Sequence, residues 1–456
     1  TPLPFDPDWI IEALSDSTIY MAFYTVAHKI TQNKLKPEQL TLSFFDHVFL
    51  GKGKAEKVEK ETGISSDLLK SMRNEFLYWY PNDQRHTAPS HISNHLSFAI
   101  FHHVAIFPKK HWIQCISLNE HMNMEGRKMS KSKGNTIPLG EIPKKYGADV
   151  FRTYVLSAAE PATLMDWREK DVPAVRNRIR QFSEIMKRYS KKTPRVYSKK
   201  DNPTTITRWI LSRVNSIIQE CTDHLENFKI RDYAITVMSE MIRSISQYEK
   251  RNVPKEEREG TMAYLCEKWV RLISPMIPHT SEEFWAKMNG DGYVSMADWP
   301  IADKKLIDPS VEMAQEVVES TVKDIREIVK LLKGKKASTV HIYVAPDWMF
   351  KAMKSIRENN LPIIVGDIMK HLMSNDEFKS HGKLVKNIVD RIAKENGLWD
   401  HSSSANDEMV ALNDSIEYMS SELKMKIAIH SSEKAAYDPQ SKARFALPGR
   451  VSLFLE

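Results

Sequence analysis

The sequence is poor in cysteine, and this scarcity excludes two kinds of protein. Only three cysteines occur among 456 residues, at positions 115, 221 and 266, and no two of them form a Cys-x-x-Cys pair. A disulfide framework or a zinc knuckle needs several closely spaced cysteines, so neither is expected. Scattered free thiols are typical of a reducing compartment, and we expect a cytoplasmic protein.

Long apolar runs and a strong charge of one sign are also missing. No run approaches the ~20 apolar residues of a membrane-spanning helix, and no secretory signal is recognisable, so we expect no membrane partner. The net charge of +7 permits a nucleic-acid partner without demanding one. The apolar fraction of 41% is that of a globular protein, and the length suits roughly two to four domains. Because the chain begins with Thr1 rather than methionine, we expect its N-terminus to be a cut.

The apolar periodicity of the first third predicts an α/β arrangement. Helices are predicted over residues 9–30, opening near Asp8, over 63–79, and over 91–107, the last as a buried helix. The short run 113–118 predicts a parallel strand that leads into a lysine-rich loop. This alternation is typical of the second half of a doubly wound domain, where ligands lie at the carboxyl ends of the strands.

The rest of the chain is predicted to be mainly helical, with a mixed tail. Residues 205–249 and 258–288 are predicted to form the paired helices of an all-α bundle. A helix over 312–332 and a strand over 337–344 begin an α+β tail, in which 402–406 is predicted to be a mobile loop. We therefore divide the chain into four segments, comprising residues 1–150, 151–200, 201–300 and 301–456.

The most informative stretch is Lys128-Met129-Ser130-Lys131-Ser132, extended by Lys133-Gly134-Asn135. It places three ammonium groups and two hydroxyls within six residues and ends in a pair suited to a tight turn. Mobile lysines of this kind can follow the negative charge that develops on a departing pyrophosphate. A solvated basic turn is the alternative, but the order of these residues is much rarer than their composition.

This loop and the Tyr146-Gly147-Ala148-Asp149 stretch after it closely resemble the signature region of class I aminoacyl-tRNA synthetases. Separate stretches elsewhere resemble the archaeal/eukaryotic type of leucyl-tRNA synthetase. These stretches lie at residues 9–22, 78–81, 94–98, 103–107, 437–439 and 448–450. The resemblance covers nearly the whole chain.

The resemblance implies a fold and an activity. Residues 1–150 would be the second half of the class I Rossmann-type catalytic domain, 151–200 a connector contacting the tRNA stem, and 201–300 the α-helical anticodon-binding bundle. Residues 301–456 would be a small α+β C-terminal domain that contacts tRNA. The implied reaction is the ATP-dependent activation of leucine and its ligation to tRNA-Leu, by a monomer that uses ATP and Mg²⁺.

Site residues carry over from the family where this sequence matches its motifs. Lys131 is implied to stabilise the ATP phosphates, Lys128 to assist in catalysis, and His95, beside Asn94, to lie against the ATP ribose. Asp149 is expected to cap its own helix. The residues implied to bind the nucleotide are Lys128, Met129, Ser130, Lys131, Ser132, Lys133, Asn94 and His95. No dedicated metal cage is expected.

A basic segment follows the lysine loop and is expected to lie along the tRNA backbone, where phosphate contacts add affinity but little sequence information. A solvated helix face is the alternative for such a charge run. The residues implied to bind tRNA are Arg168, Lys170, Arg176, Arg178, Arg180, Lys187 and Arg188.

The sequence departs from the family pattern in two places. The His-Ile-Gly-His-type motif that grips ATP is missing, so this chain alone is expected to be inactive. Thr87-Ala88-Pro89-Ser90 stands where the family usually has Ser-Gly-Lys-Asp; the change adds bulk and removes a backbone donor and two charges. The alternative function is therefore a catalytically impaired leucyl-tRNA synthetase paralogue or fragment that acts as a tRNA-binding protein.

Overall fold

A computed structural model of the chain describes residues 2–3, 6–10, 19–130, 132, 134–136, 138–197, 201–331, 337–362, 364–392 and 402–456. The chain divides into two compact units. The first comprises Thr1–Thr136 and Ala158–Arg168, and the second comprises Ile137–Ser157 and Glu169–Glu456. The finer division into four segments stays a prediction.

The strands of the first unit form three small sheets. Strands β1 (Pro2–Leu3) and β2 (Asp6–Ile10) are antiparallel. Strands β3 (Arg85–Thr87) and β4 (Ile116–Leu118) are parallel, which confirms the strand predicted within 113–118. In the third sheet β5 (Met122–Met124) lies between β6 (Arg127–Lys128) and β7 (Met165–Trp167), antiparallel to the former and parallel to the latter.

The α-helices among the described residues of the first unit are α1 (Tyr20–Gln32), α2 (Leu42–Phe45), α3 (Ala55–Thr62), α4 (Ser66–Trp79) and α5 (Ser97–Ile106). Ser65 caps α4 by accepting the backbone N–H of Leu68, so this predicted helix is confirmed to within a turn. The core gathers around Phe44, Phe76 and Phe107, with the ring of Phe76 stacked on that of Tyr80 at 4.6 Å.

The prediction for the first thirty residues is wrong at its N-terminal end. Residues 6–10 are a strand, and the helix begins only at Tyr20; residues 11–18 lie outside the described part of the chain. Pro7 favours the strand, because proline shifts the residue before it, here Asp6, toward extended backbone.

Helix α5 forms as predicted, but it is not buried as predicted. Only Ala99 and His103 are enclosed, whereas Phe101 is 72% exposed and several other apolar side chains are about half exposed. Apolar residues occur on every side of this helix, and the first unit covers one side only. The buried His103 ring is 3.2 Å from the Tyr80 hydroxyl through Nε2 and 2.7 Å from the Ala99 carbonyl through Nδ1.

The second unit opens with the helices of the predicted bundle and the segments that lead into it. They are α6 (Ile142–Lys145), α7 (Ala148–Ala158), α8 (Val172–Tyr189), α9 (Thr205–Glu226), α10 (Ile230–Ala234), α11 (Met241–Glu249), α12 (Lys255–Ile273) and α13 (Pro278–Lys287). Helix α9 lies at the centre and shares one hydrophobic core with α8, α11 and α12. Trp269 and Phe284 belong to this core, since both are buried and both meet the ring of Phe182 edge to face.

Asp149 does not act as predicted. Its buried carboxylate caps helix α13 rather than its own helix α7: Oδ2 accepts the backbone N–H of Thr280 at 2.7 Å and the Thr280 hydroxyl at 2.6 Å. Oδ1 accepts the N–H of His279 at 3.3 Å. The physical reason is position, because Asp149 is already inside the first turn of α7 and its side chain reaches the exposed N–H groups of a neighbouring helix.

The α+β tail is confirmed. It comprises α14 (Pro309–Leu331), β8 (Thr339–Val344), α15 (Asp347–Glu358), α16 (Val365–Met373), α17 (Asp376–Lys379), α18 (Gly382–Ile392), α19 (Ala405–Asp414), α20 (Ile416–Leu423), β9 (Lys426–Ser431) and β10 (Ser452–Leu455). Strand β8 is central, parallel to β9 and antiparallel to β10. Val318 and Val322 of α14 and Ile342 of β8 share one core.

The serine-rich segment 402–406 is a loop only up to Ser404, because helix α19 begins at Ala405. Ser404 begins helix α19 with a capping box: its hydroxyl accepts the N–H of Asp407 at 3.1 Å, and the Asp407 carboxylate accepts the N–H of Ser404 at 3.0 Å. Ser403 is buried and donates to Glu408 at 3.2 Å. A serine that immediately precedes a helical pattern can therefore be a helix N-cap as well as a loop residue.

The three thiols differ in exposure. Cys115 is exposed immediately before β4, whereas Cys221 and Cys266 are buried in the bundle and burial raises the pKa of both. No helix within the described ranges combines the length and the apolar character required to cross a membrane.

Candidate functional site

A tight hairpin carries the lysine loop. Strands β5 and β6 are joined by Glu125 and Gly126, both with positive φ (50° and 76°), as expected for a two-residue hairpin turn. The Asp166 carboxylate accepts the N–H of Gly126 at 2.8 Å and is itself bound by the Arg168 guanidinium at 2.7 Å. The backbone N–H of Gly126 and the Arg168 side chain both hold the pKa of Asp166 below its ordinary value. The base of the loop is therefore fixed from the neighbouring strand β7.

The described residues of the loop present hydroxyls and charge together. Lys128 is exposed and makes no ion pair with any described carboxylate. The hydroxyls of Ser130 and Ser132 are 2.8 Å apart, while Met129 is half-buried. Lys131 and Lys133, to which phosphate-binding roles were assigned, lie outside the described residues.

The side chain of Asn135 spans the base of the loop. Its Oδ1 accepts the backbone N–H of Ser130 at 2.8 Å, and its Nδ2 donates to the carbonyl of Lys128 at 3.0 Å. Gly134, the residue before it, has φ of +63°, in the region that favours glycine. The sequence predicted a turn at Gly134-Asn135, but it did not predict that the side-chain amide of Asn135 would bind the backbone of Lys128 and Ser130.

His95 and Asn94 lie together on a π-helical turn, Ile92–Leu96, at the start of α5. The Arg85 guanidinium contacts His95 Nε2, a contact that the sequence analysis missed. Burial, then the charge of Arg85 and then that of His91, lower the pKa of His95. Because a guanidinium can only donate, this contact favours the tautomer of His95 in which Nε2 is the acceptor.

The altered segment 87–90 is ordered. Thr87 ends β3 and its carbonyl accepts the N–H of Asn119 at 3.1 Å; Pro89–His91 then forms a 3₁₀ turn closed by the His91 N–H on the Ala88 carbonyl at 3.0 Å. The proline supplies no N–H of its own. One strand away, Ser117 Oγ is 2.7 Å from His86 Nδ1 and accepts the Gln84 amide at 2.6 Å.

The predicted tRNA-binding residues are all exposed, and most lie on helix α8. At 3.6 residues per turn, Arg176, Arg180 and Lys187 fall on one stripe, opposite the buried face. Arg188 is paired with Glu249 at 3.0 Å, and Arg168 with Asp166. Arg176, Arg178 and Lys187 form no ion pair with any described residue, so their charge faces solvent.

The residues present suit the phosphate part of a nucleotide. The ammonium group of Lys128, which pairs with no described carboxylate, and the neighbouring hydroxyls of Ser130 and Ser132 can donate hydrogen bonds to phosphate oxygens. Among the described residues, no group of three or more His, Cys, Asp or Glu side chains could hold a metal ion.

Two family models match this chain. One, described as tRNA synthetases class I (M), matches residues 66–189, and the other, the anticodon-binding domain of tRNA ligase, matches residues 207–343. The first covers the hairpin and helix α8, and the second covers the bundle and helix α14.

The chain is also similar along its full length to curated leucine–tRNA ligases. Identities are 38% with the protein of Staphylothermus marinus, 37% with that of Pyrococcus furiosus and 36% with that of Methanosarcina barkeri. Each alignment covers 100% of this chain but only 46%, 47% and 47% of those proteins, so the chain spans about half the length of the curated relatives it matches. A solved leucyl-tRNA synthetase–tRNA complex from Agrobacterium radiobacter K84 aligns over 64% of this chain and 34% of that chain at 18% identity with a TM-score of 0.45, which is too weak to bear on the site.

Proposed function

Because the chain belongs to the leucyl-tRNA synthetase family and matches the C-terminal half of its full-length members, we propose that it supplies the phosphate-binding loop and tRNA-contacting surfaces of a leucine–tRNA ligase. The reaction joins leucine to ATP to give leucyl-adenylate and pyrophosphate, and then transfers the leucyl group to the 3′ end of tRNA-Leu. The observation that supports this best is the hairpin that carries Lys128, which pairs with no described carboxylate, two residues before Ser130, whose hydroxyl is 2.8 Å from that of Ser132.

The lysines would act by charge alone. The carboxylate of leucine attacks the α-phosphate, and the leaving pyrophosphate gains negative charge as its bond to the α-phosphate breaks. An ammonium group beside that charge would stabilise the transition state more than the ground state, and this difference would accelerate the reaction. Lys131 takes the main role in this proposal, and Lys128 and Lys133 bind phosphate.

His95 and Asn94 are proposed to contact the nucleotide ribose. The Arg85 guanidinium contacts Nε2 of the His95 ring and would hold that ring in place beside the sugar. A neutral ring suits this role because it adds no charge beside the sugar, and the lowered pKa of His95 favours that neutral form. Mg²⁺ would neutralise the phosphates when ATP is bound.

The tRNA is proposed to lie along helix α8. Arg176, Arg180 and Lys187 share an exposed stripe, a pattern suited to a phosphate backbone. The C-terminal domain is proposed as a second tRNA contact through exposed lysines of α16 to α18: Lys370, Lys379, Lys383 and Lys386.

ATP–pyrophosphate exchange with leucine tests the ligase, measured on the full-length gene product that contains this chain. We expect exchange that is lost in Lys131→Ala and kept in Lys60→Ala, a matched exposed lysine on α3. Exchange that survives Lys131→Ala would contradict the role of the loop.

A tRNA-binding protein without ligase activity is the second candidate, favoured by one observation. The Ala88-Pro89 pair leads into an ordered 3₁₀ turn where the family usually has a glycine, so the backbone there cannot approach a nucleotide closely. No exchange by the full-length product, together with tRNA binding, would favour this candidate.

A further inference from the structure

We propose that a cleft at the N-terminus of helix α9 binds a small phosphate ester whose body carries hydroxyl groups. The cleft has a volume of about 580 Å³, and its lining residues all belong to the second unit. They come from the start of α9, the turn before α12 and the junction of α19 with α20. This volume is typical of a small-molecule site. The inference does not depend on the ligase activity proposed above, because none of these residues belongs to the lysine loop.

The first turn of α9 offers backbone donors to the cleft. Thr204 is the N-cap: its hydroxyl accepts the N–H of Thr207 at 3.3 Å, and its carbonyl accepts the N–H of Arg208 at 2.9 Å. The N–H groups of Thr205 and Ile206 have no acceptor among the described residues, and both residues line the cleft. The positive end of a helix of 22 residues favours an anion at this place.

A buried arginine lines the same cleft and independently indicates an anion. The Arg251 side chain is 3% exposed, and its Nη2 donates to Glu319 at 2.8 Å. Its Nε and Nη1 have no hydrogen-bond partner within the described ranges. Buried donors are nearly always paired, so two N–H groups of one enclosed guanidinium require an acceptor. The oxygens of a phosphate are strong acceptors for such a group.

Arg208 adds an exposed positive charge to the cleft. It lies one turn along α9 from Thr205 and makes no ion pair with any described carboxylate. A planar guanidinium can donate two parallel hydrogen bonds to a phosphate, which a single ammonium group cannot do. Two arginines and the helix start therefore present donors of one kind to the same cleft.

Acidic residues of the cleft determine which phosphate compounds suit it. Asp414 and Glu417 line it and are exposed, and Glu417 accepts the Asn252 amide at 3.3 Å. A third carboxylate, that of Glu257, is bound to the N–H and the hydroxyl of Thr204. Carboxylates repel additional phosphates but accept hydrogen bonds from hydroxyl groups. They therefore favour a single phosphate on a sugar or polyol over a chain of phosphates such as a tRNA backbone.

Isothermal titration of the chain with ribose 5-phosphate tests the site. Thr205→Pro removes one N–H but is compatible with the helix, because proline is favoured at the first helical position. The preceding Thr204 has φ of −55° and ψ of 152°, which suit a residue before proline. We expect affinity to fall about tenfold, as for the loss of a hydrogen bond to a charged group. Thr205→Ala keeps the N–H and should have a much smaller effect.

A matched proline substitution controls for the change of residue. Ser66 is the first residue of α4, and its N-cap has similar backbone angles, φ of −60° and ψ of 145°. Ser66→Pro should bind ribose 5-phosphate as tightly as the wild type. An equal loss of affinity in Ser66→Pro and Thr205→Pro would show that the effect is not local to the cleft, and would overturn the proposal.

Arg208→Gln keeps the proposal testable even where the proline variant folds poorly, since Arg208 is exposed. We expect affinity for ribose 5-phosphate to fall about fivefold, with no change in Arg444→Gln, an exposed arginine of the same unit outside the cleft. Absence of binding by the wild-type chain, or wild-type affinity in both Arg208→Gln and Thr205→Pro, would overturn the proposal.

Hydrogen exchange and tRNA binding identify the place and the source of the phosphate. Ribose 5-phosphate should slow amide exchange at residues 205–208; slowing only at residues 126–130 would assign the ligand to the lysine loop and overturn the proposal. Binding of a tRNA-Leu transcript should be the same in Thr205→Pro as in the wild type. Weaker tRNA binding with unchanged ribose 5-phosphate affinity would assign the cleft to the tRNA backbone instead. Failure of ATP–pyrophosphate exchange would contradict the ligase and leave this site standing.

Discussion

Asp149 caps a helix whose first turn lies 131 residues further along the chain, through two hydrogen bonds from Thr280 to one carboxylate oxygen. The helix has no cap of its own, since its N-cap residue is Ile277, which has no side-chain acceptor. A carboxylate at this end also interacts favourably with the positive N-terminal end of the helix dipole. The start of α7 is thereby fastened to the start of α13 within the second unit.

Replacing this carboxylate should destabilise the second unit. We expect Asp149→Ala to lower the free energy of unfolding by about 1 to 2 kcal/mol, the range for loss of an N-cap, because its N–H and O–H donors lose their acceptor. Chemical denaturation followed by circular dichroism measures the change. Asp67→Ala is the control, an exposed aspartate in the first turn of α4. Equal effects of the two substitutions would contradict the cap.

Within the second unit, a buried arginine joins the helical bundle to the α+β tail. The Arg251 side chain is 3% exposed, donates to Glu319 at 2.8 Å and lies 3.4 Å over the ring of Tyr418, while its Nε and Nη1 have no hydrogen-bond partner among the described residues. Burial lowers the pKa of Arg251, and burial, with the charge of Glu319, raises the pKa of Tyr418 to about 12. Burying the Arg251–Glu319 ion pair therefore costs desolvation free energy. Substitution of Arg251 and substitution of Glu319 should have different effects on the free energy of unfolding.

Removing only the acid should be severe. In Glu319→Ala the guanidinium stays buried without its counter-charge, and we expect a loss of about 3 kcal/mol or more in the free energy of unfolding. The double variant Arg251→Met with Glu319→Gln should recover most of that loss, because no charge is then left buried. A double variant as unstable as Glu319→Ala would show that packing rather than charge dominates. Thermal denaturation of the three proteins decides between these outcomes.

The C-terminal sheet should be sensitive to acid. His430 Nε2 is 3.0 Å from His341 Nδ1 and its ring is stacked on those of His341 and Tyr343; burial, then the nearby His341, lower its pKa, against the opposing effect of Asp438. Above a pH of about 6.5 the ring is neutral in both states and contributes no pH dependence. Below that pH, His430 binds a proton in the unfolded chain but stays neutral in the folded protein, so the free energy of unfolding falls as the pH decreases.

His430→Gln should reduce this dependence. We expect the drop in melting temperature between pH values of about 7.5 and about 5.5, on either side of the ordinary histidine pKa, to be smaller than in the wild type. Exposed His28→Gln should leave the drop unchanged. Some dependence should persist, since burial also lowers the pKa of His103 and His111 in the first unit. A drop of full size in His430→Gln would rule out this histidine as the acid-sensitive group.

The stripe on α8 should set the salt dependence of tRNA binding. For each of Arg176→Ala, Arg180→Ala and Lys187→Ala we expect weaker binding of a tRNA-Leu transcript and a decrease of about 1 in the slope of log K against log salt. Filter binding from low to moderate salt measures both quantities. Lys60→Ala should change neither; if it changed the slope equally, the charge effect would be general rather than local.

Periodicity was sufficient to predict several of the long helices. The residues of α4, α9 and α12 repeat apolar side chains at helical spacing, and Ser65 and Thr204 supply caps that the sequence shows directly. The parallel strand β4 and the tail strand β8 were also predictable, because short β-branched runs have few other structures open to them.

What the sequence could not show was which distant groups meet. Asp149 looks like an ordinary local cap, and only the tertiary structure places it at α13. Arg85 carries no local sign that it will contact His95 ten residues later. Asn135 was recognisable as a turn residue, but its two backbone partners depend on the path of the loop. The sequence was sufficient to identify the motif residues. It was not sufficient to identify the side chains that hold those residues in place.

The different exposure of the three cysteines makes the chain convenient for site-specific labelling. A maleimide reacts with thiolate, and the thiols of Cys221 and Cys266 are both enclosed, with burial raising the pKa of each so that they stay protonated. A fluorophore would therefore attach to Cys115, whose carbonyl accepts the N–H of Arg85 in the adjoining strand. The chain thus carries a reporter position next to Arg85 and β4, and neither Cys221 nor Cys266 has to be removed beforehand.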